Sequence, residues 1–301
     1  MSVRRLALRG GLAATALWAA GCATVYQRAF GQRRWGPEAD RGWTPDDLGV
    51  EHERLPITTT DGVELLAWHL PGRAPAAVIV CPGHRGRAGD VLGISAALQR
   101  AGLSVTALGW RGTPGSGAGR HTLGSAERLD LKAGVAATRE RTGGVPLGVL
   151  GFSMGGAVAL GCAAEEPLIA AVCADSAFSD AYAVLDEGVR RVLHLPGPLL
   201  TRPAGAVLRR RTGGRLPEVS PVASIAAIPP RPLLLIHVAA DRSVPVEHAR
   251  RLAAAAGGAS LWVVEGAPHC GAYFADRAEY RRRVGGFFVD ALLRGAPSST
   301  S

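Results

Sequence analysis

From residue 53 onward, two patterns of apolar residues alternate along the chain. Short, almost wholly apolar runs predict strands covered on both faces, and the segments between them carry apolar residues at helical spacing. This alternation predicts an α/β fold with a mostly parallel central sheet and helices on both of its faces. The predicted strands are 76–81, 103–108, 146–151, 169–174, 232–239 and 261–265, and the predicted helices are 89–101, 126–141, 154–165, 246–256 and 275–293.

Two segments depart from this alternation. Residues 55–60 and 63–70 flank Asp61-Gly62, a dipeptide typical of a tight turn, and are predicted to form a β-hairpin. Residues 177–230 are rich in leucine and are interrupted by prolines and glycines, which predicts two or three short helices. We expect this insertion to lie over the C-terminal edge of the sheet as a small helical lid. The core would then consist of residues 53–176 and 231–295.

The first 22 residues have the composition of a targeting segment. Three arginines precede an apolar stretch, 10–20, which is too short to span a bilayer comfortably, so a signal peptide is the better interpretation. Small residues before Cys22 resemble a bacterial lipobox, with alanine where leucine is usual, and Cys22 would become the lipidated N-terminus. An uncleaved anchor, ordinary secretion or no export are the alternatives, and Arg4-Arg5 leaves twin-arginine export open. Residues 23–52 are expected to form a tether, with the domain exported and held to the membrane of the cell envelope.

The composition narrows the possible partners and cofactors. The formal net charge is +9, but the arginines are scattered rather than gathered into a stripe with aromatic residues, so nucleic-acid binding is not predicted. Attraction to an anionic membrane surface agrees better with the N-terminal segment. The five cysteines show neither metal-binding nor disulfide spacing, and no metal or other cofactor is expected.

The segment 148–156 carries the main chemical signal. It contains Gly151-x-Ser153-x-Gly155 between a predicted strand and a predicted helix. Glycines two positions to either side of the serine let a strand and a helix meet in a very tight turn, which exposes the serine hydroxyl above the sheet edge. Ser153 is therefore the candidate nucleophile. The Met154 N–H lies at the start of the following helix, where the backbone favours negative charge.

A serine nucleophile needs a base to accept its proton, and the base needs an acid to orient it. In an open parallel sheet these groups follow the C-terminal ends of strands. Asp241 follows one predicted strand and is the candidate acid, with Asp175, after another strand, as the alternative. His269 follows the last predicted strand and is the candidate base. The order Ser153, Asp241, His269 is the one that this sheet topology predicts.

Negative charge that develops on a substrate carbonyl needs hydrogen-bond donors, which form an oxyanion hole. The Met154 N–H is the first expected donor. The second is expected from the loop after strand 76–81, where the His84 N–H is the best candidate.

From residue 53 to its end, the chain resembles the α/β-hydrolase superfamily. The segment 151–156 resembles the nucleophile elbow of that superfamily, 110–117 its glycine-rich loop, and 266–269 its histidine loop. The oxyanion loop of the superfamily usually carries His-Gly, and Pro82-Gly83 stands there in this chain. The resemblance implies a relationship to serine-peptidase-like and acyl-hydrolase branches with a short cap.

The candidate residues and the resemblance together predict a serine hydrolase acting on a small-molecule ester or acyl substrate. It would cleave a carboxylic ester, or else a thioester or amide, through an acyl-enzyme on Ser153. Acyl transfer to an envelope lipid or glycan would use the same residues and is the first alternative. A non-catalytic scaffold with a hydrolase fold is the second alternative, although a damaged set of catalytic residues would be expected of it.

Overall fold

The computed structural model describes residues 3–31, 42–257 and 259–294. Eight strands of this described part form one sheet in the order β1-β4-β6-β5-β7-β8-β9-β10. The strands are β1 (Glu53–Arg54), β2 (Ile57–Thr58), β3 (Glu64–Leu65), β4 (Ala67–Leu70), β5 (Ala77–Cys81), β6 (Ser104–Leu108), β7 (Leu147–Phe152), β8 (Ile169–Asp175), β9 (Leu233–Val238) and β10 (Ser260–Val264). The pairs β1–β4 and β4–β6 are antiparallel, and the others are parallel. The predicted mostly parallel sheet is confirmed.

The helices that surround the sheet follow the predicted alternation. They are α1 (Val3–Phe30), α2 (Leu92–Arg100), α3 (Glu127–Arg141), α4 (Met154–Glu165), α5 (Ala181–Leu193), α6 (Pro198–Thr212), α7 (Pro221–Ser224), α8 (Glu247–Ala255), α9 (Ala272–Ala275) and α10 (Arg277–Leu293). The last predicted helix, 275–293, begins at Arg277 as α10, because Asp276 is extended and caps α10 with its side chain; the short helix α9 precedes it.

The core lies on both faces of the sheet. Alternate residues of β5 point to opposite sides, so Ile79 packs in the cluster that contains α3, α4 and α8, and Val78 packs in the cluster that contains α2 and α10. Side chains such as Phe288 are fully buried, and each contributes about 1.5–3 kcal/mol of burial free energy. The two layers hold the carboxyl ends of the parallel strands in register at one edge.

The predicted hairpin is present in a shorter form. Residues 59–62 form its turn, with Gly62 at a φ of 82°, and β2 pairs with β3 in a separate two-stranded sheet. The second arm then continues as β4, which joins the edge of the main sheet. The turn residue Asp61 is held there by Arg111, whose guanidinium lies 2.7 Å from the Asp61 carboxylate.

The N-terminal segment differs from the expected leader followed by a tether. Helix α1 runs without interruption through Cys22, so the expected boundary after residue 22 lies inside a helix. Residues 23–30 pack on the domain, where Tyr26 and Phe30 are buried, and α1 contacts α6 of the 177–230 segment. Residues 32–41 of the expected tether lie outside the described residues. Within the described ranges, none of the helices combines the length and the hydrophobicity needed to span a bilayer.

Candidate active site

A tight turn between β7 and α4 places Ser153 at the sheet edge. Ser153 has a φ of 51° and a ψ of −116°, a conformation that a residue with a side chain rarely adopts. A Cβ at Gly151 would lie 2.3 Å from the Gly155 carbonyl oxygen, and a Cβ at Gly155 would lie 2.4 Å from the Pro82 carbonyl oxygen. Both glycines are therefore required by close backbone contacts, and the strain at Ser153 is maintained by packing around the turn.

The structure brings the three sequence-predicted side chains into one hydrogen-bonded chain. His269 Nε2 lies 2.9 Å from Ser153 Oγ, and His269 Nδ1 lies 2.5 Å from Asp241 Oδ2. The residues follow β7, β9 and β10, whose carboxyl ends lie along the same sheet edge. The Asp241 carboxylate is buried, whereas the side chain of His269 is 25% exposed, so that a substrate can reach the Ser153–His269 pair.

Backbone amides hold Asp241 in its ionised form. Its Oδ1 accepts hydrogen bonds from the N–H groups of Ser243 at 2.7 Å and Val244 at 3.0 Å. Burial by itself raises the pKa of Asp241, but the hydrogen bonds from His269 and these two amides outweigh it and bring the pKa below its ordinary value. Asp241 is thus a fixed negative charge against Nδ1 of His269.

His237 supports the same loop, although its place inside a strand gave no reason to select it from the sequence. Its Nε2 lies 2.8 Å from the Val244 carbonyl oxygen and 3.7 Å from Asp241 Oδ2. Burial lowers the pKa of His237, so the ring is neutral near pH 7 and donates from Nε2 to Val244. One indirect signal was available, since His237 precedes the candidate acid by four residues at the end of a buried strand.

Asp175, the alternative acid, has a different set of partners. Its carboxylate accepts hydrogen bonds from Ser176 Oγ and from Tyr280 Oη, both at 2.8 Å. Its backbone carbonyl accepts the Ser153 N–H at 2.8 Å, which fixes the turn that carries the serine. Burial raises the pKa of Asp175 to about 6. The position that contacts His269 Nδ1 is occupied by Asp241 instead.

The loop after β5 lies beside Ser153, as expected of an oxyanion loop. A Cβ at Gly83 would be 3.6 Å from the Ser153 Cβ. The indole N–H of Trp110 donates to the carbonyl oxygens of Pro82 at 2.9 Å and Gly83 at 3.2 Å. A trans peptide directs its C=O and N–H to opposite sides, so the His84 N–H points away from Trp110.

The side chain of His84 packs inward. Its Nδ1 lies 3.4 Å from the sulfur of Met154, and its ring contacts that of His121 edge-to-face at 5.7 Å between centroids. Loss of solvation lowers the pKa of His84 to about 3, so the imidazole is neutral near pH 7. Only the backbone of His84 is therefore suited to a role at the oxyanion, and the side chain supports the loop by packing.

Helix α1 meets the same loop. Arg85, which follows His84 and has a φ of 59°, donates from Nη2 to the carbonyl oxygens of Gln27 and Arg28, each at 3.1 Å. These carbonyls belong to the last turn of α1, where a cation is favoured. The sequence contained no signal for this contact, because residues 23–30 were expected to form a tether.

A cleft of ≈ 750 Å³ lies next to the turn that carries Ser153, and its size is typical of sites for small molecules. Its inner end is formed by Gly83, by Phe152 before the serine, and by Cys270 after the histidine. Its walls are mainly apolar, and Arg277 and Arg281 line its outer part. Within the described residues, no group of three His, Cys, Asp or Glu side chains is arranged to hold a metal ion.

Several known proteins are similar to this chain in sequence or in structure. A family model described as "Serine aminopeptidase, S33" matches residues 72–209. The uncharacterized protein YqkD of Bacillus subtilis (strain 168) is 28% identical over 243 residues, which cover 78% of this chain and 78% of YqkD. The Pyrococcus furiosus esterase Pf2001 is 28% identical with a TM-score of 0.67, over 83% of this chain and 95% of the esterase. The α/β-hydrolase GrgF from Penicillium sp. sh18 is 18% identical with a TM-score of 0.63, over 81% and 99% of the two chains.

The chain is a member of the α/β-hydrolase superfamily. The sheet order, the turn at Ser153 and the similarity to solved hydrolases all lead to this assignment. The similarity to the Pyrococcus furiosus esterase, together with the family match, supports a hydrolase as the class of enzyme.

Proposed function

We propose that this protein is a serine hydrolase that cleaves a carboxylic ester through an acyl-enzyme on Ser153. The observation that carries the proposal is the hydrogen-bonded chain from Ser153 Oγ through His269 to Asp241, at 2.9 Å and 2.5 Å. Such a chain raises the nucleophilicity of a serine hydroxyl, because a positioned base can accept its proton during attack.

In the first half of the reaction, His269 Nε2 takes the proton of Ser153 as Oγ attacks the ester carbonyl. Asp241 stabilises the imidazolium that forms and holds the proton on Nδ1. The alcohol then leaves with the proton from His269, and an acyl group remains on Ser153. In the second half, His269 takes a proton from a water molecule that attacks the acyl-enzyme. The bond from the acyl carbon to Ser153 Oγ then breaks, His269 returns the proton to Oγ, and the acid is released.

The Met154 and His84 N–H groups are the proposed oxyanion donors. The Met154 N–H lies at the N-terminal end of α4, and the orientation of the Gly83–His84 peptide by Trp110 supports the His84 N–H as the second donor. Loss of one such donor typically reduces kcat by about 10²–10³-fold.

Labelling with a fluorophosphonate probe tests the nucleophile. We expect the purified chain to be labelled, Ser153→Ala to lose all labelling, and Ser224→Ala, a control in α7 away from the site, to be labelled normally. A folded wild-type protein that the probe does not label would contradict the proposal.

Hydrolysis of p-nitrophenyl esters of increasing chain length by wild type and Ser153→Ala then measures the length of acyl group that the cleft accepts.

We also propose that the hydrolase works at the surface of an anionic membrane. The turn between α5 and α6 exposes large apolar side chains and follows two exposed arginines, an arrangement suited to a lipid interface. Trp18 donates to the Leu199 carbonyl at 3.0 Å, and Cys22 Sγ lies 4.0 Å from the same oxygen. A lipid on Cys22 or an uncleaved α1 would therefore place the same turn against the bilayer. The exposed apolar residues are Val192 and Leu193 at the end of α5, Leu195 in the turn and Leu199 at the start of α6, and the arginines are Arg190 and Arg191.

Flotation with vesicles tests the membrane proposal. We expect the protein to float with vesicles that contain phosphatidylglycerol, and Leu195→Glu combined with Leu199→Glu to reduce binding by about tenfold or more. Leu168→Glu, at an exposed leucine between α4 and β8, is the matched control and should bind as wild type does. Binding that survives the double substitution would contradict a role for this turn.

A further inference from the structure

The outer wall of the cleft beside Ser153 carries two arginines on the same face of one helix. Arg277 and Arg281 are one turn apart at the beginning of α10, and both line the cleft. Arg281 Nη2 donates to Tyr273 Oη at 2.9 Å, and the guanidinium of Arg277 lies 5.5 Å from the ring centroid of Phe274. Aromatic side chains of α9 thus contact both guanidinium groups.

These two arginines differ from their neighbours in how their charge is balanced. Arg282 and Arg283 on the same helix bind Glu279, at 2.7 Å and 2.5 Å. Within the described part of the chain, no carboxylate lies within salt-bridge distance of Arg277 or Arg281.

The other carboxylates close to this wall are already engaged. Asp276 accepts the Glu279 N–H as the cap of α10, and Asp90, which lines the opposite side of the cleft, binds Arg87 at 2.9 Å. The cleft lining contains three arginines, Arg100, Arg277 and Arg281, and one carboxylate, Asp90, so its net charge is positive.

Such a pair is electrostatically unfavourable when the cleft is empty. Like charges one turn apart on a helix repel each other, and cations near a helix N-terminus oppose the helix dipole. A bound anion would relieve both effects. Both arginines are exposed, so their guanidinium groups are accessible to a ligand that enters the cleft.

We propose that the preferred substrate of this hydrolase is an ester whose apolar acyl chain ends in a negatively charged group, which Arg277 and Arg281 bind. This proposal rests on the proposed function, since it assigns a substrate class to the same Ser153 site. The acyl chain lies along the apolar walls between Phe152 and Tyr273, with its carbonyl at Ser153 and its anionic end at the arginines. A carboxylate is the simplest such group, and guanidinium groups bind carboxylates through paired N–H donors.

Two esters of equal chain length test the proposal. The mono-p-nitrophenyl ester of adipic acid ends in a carboxylate, which is ionised at pH 7.5, and p-nitrophenyl hexanoate ends in a methyl group. We expect wild type to hydrolyse the anionic ester with a kcat/KM about tenfold higher, and 0.5 M salt to reduce this preference.

Substitution of the arginines should then separate charge recognition from catalysis. Arg277→Gln and Arg281→Gln should each reduce kcat/KM for the anionic ester by about fivefold or more, and should leave the neutral ester within about twofold of wild type. Arg282→Gln, on the same helix but paired with Glu279, is the matched control and should leave both esters unchanged. If Arg281→Gln is unstable because it loses the bond to Tyr273, Arg277→Gln still provides the test.

A wild type that is labelled by the fluorophosphonate and hydrolyses both esters equally would overturn the proposed substrate class alone. Equal losses on both esters in Arg277→Gln would also overturn it. A wild type that is neither labelled nor active on either ester would overturn the proposed function, and the substrate class with it.

Discussion

Arg85 and Gln27 link the N-terminal helix to the loop beside the candidate nucleophile. The guanidinium Nη2 of Arg85 donates to the Gln27 carbonyl at 3.1 Å, across 58 positions of the sequence. Arg85 directly follows His84, whose N–H is a proposed oxyanion donor. The last turn of α1 is therefore in contact with the loop next to Ser153.

Removal of the Arg85 side chain should weaken catalysis more than substrate binding. We expect Arg85→Ala to reduce kcat by about fivefold to tenfold with little change in KM, because the loop loses its contact with α1 and the donor becomes less well positioned. Steady-state kinetics with a short-chain p-nitrophenyl ester measure this effect. Arg294→Ala, which disrupts an exposed local pair with Asp290 at the end of α10, serves as the control. An unchanged kcat in Arg85→Ala would show that α1 docking does not affect the loop.

The positive φ of Arg85 allows the role of its side chain to be separated from the stability of the loop. A φ of 59° is strained for alanine and relaxed for glycine. Arg85→Gly should therefore be more stable than Arg85→Ala by about 1 kcal/mol, measured by denaturant unfolding, although both variants lose activity. If Arg85→Gly recovered full activity, backbone strain rather than the contact with Gln27 would be responsible.

Substitution of Asp241 tests the orientation of the base. Asp241→Asn keeps the shape of the side chain but removes the charge that holds the proton on Nδ1 of His269, and kcat should fall by about 10⁴-fold. Asp186→Asn, in α5, is a control for the loss of one carboxylate. A decrease smaller than tenfold for Asp241→Asn would mean that another group orients His269.

His237 should affect both the site and the acid stability of the protein. His237→Leu leaves the buried Val244 carbonyl without its donor, which we expect to cost about 1–3 kcal/mol and to lower kcat severalfold through the Asp241 loop.

Burial lowers the pKa of His237 from 6.5, so the unfolded chain binds a proton that the folded chain does not. Its contribution to stability is therefore present above pH 6.5 and is lost as the pH falls. Between pH 7.5 and pH 5, the free energy of unfolding should decrease less for His237→Leu than for wild type, as measured by denaturant unfolding at each pH.

Asp175 should give the opposite dependence on pH. Its pKa rises from 3.8 to about 6 on folding, so the folded chain binds the proton more tightly than the unfolded chain does. The stability that this provides is present below about pH 4 and is lost as the pH rises through about 6. Asp175→Asn should therefore gain up to about 3 kcal/mol relative to wild type between pH 4 and pH 7.5, measured by urea unfolding. A constant difference between the two proteins over that range would contradict the raised pKa.

Much of this protein could be predicted from local sequence patterns. The apolar runs and helical segments predicted a mostly parallel sheet. Strands covered on both faces are continuous apolar runs, whereas the helices that cover them carry apolar residues at helical spacing. The glycines around Ser153 predicted the tight turn, since the backbone around it leaves no room for a Cβ at either position. Asp241 and His269 could be proposed because parallel strands bring their carboxyl ends to one edge.

Tertiary structure decided what depends on contacts between distant parts of the chain. Asp241 and Asp175 both follow predicted strands. Only the contacts of Tyr280 with Asp175 and of His269 with Asp241 show which carboxylate lies against the candidate base. The docking of residues 23–30 arises from buried side chains and from Arg85 rather than from any local pattern. The exposed arginine pair of α10 becomes distinct only when the folded chain shows which guanidinium groups have carboxylate partners. Local propensity determines the elements, whereas long-range packing determines which of their side chains meet.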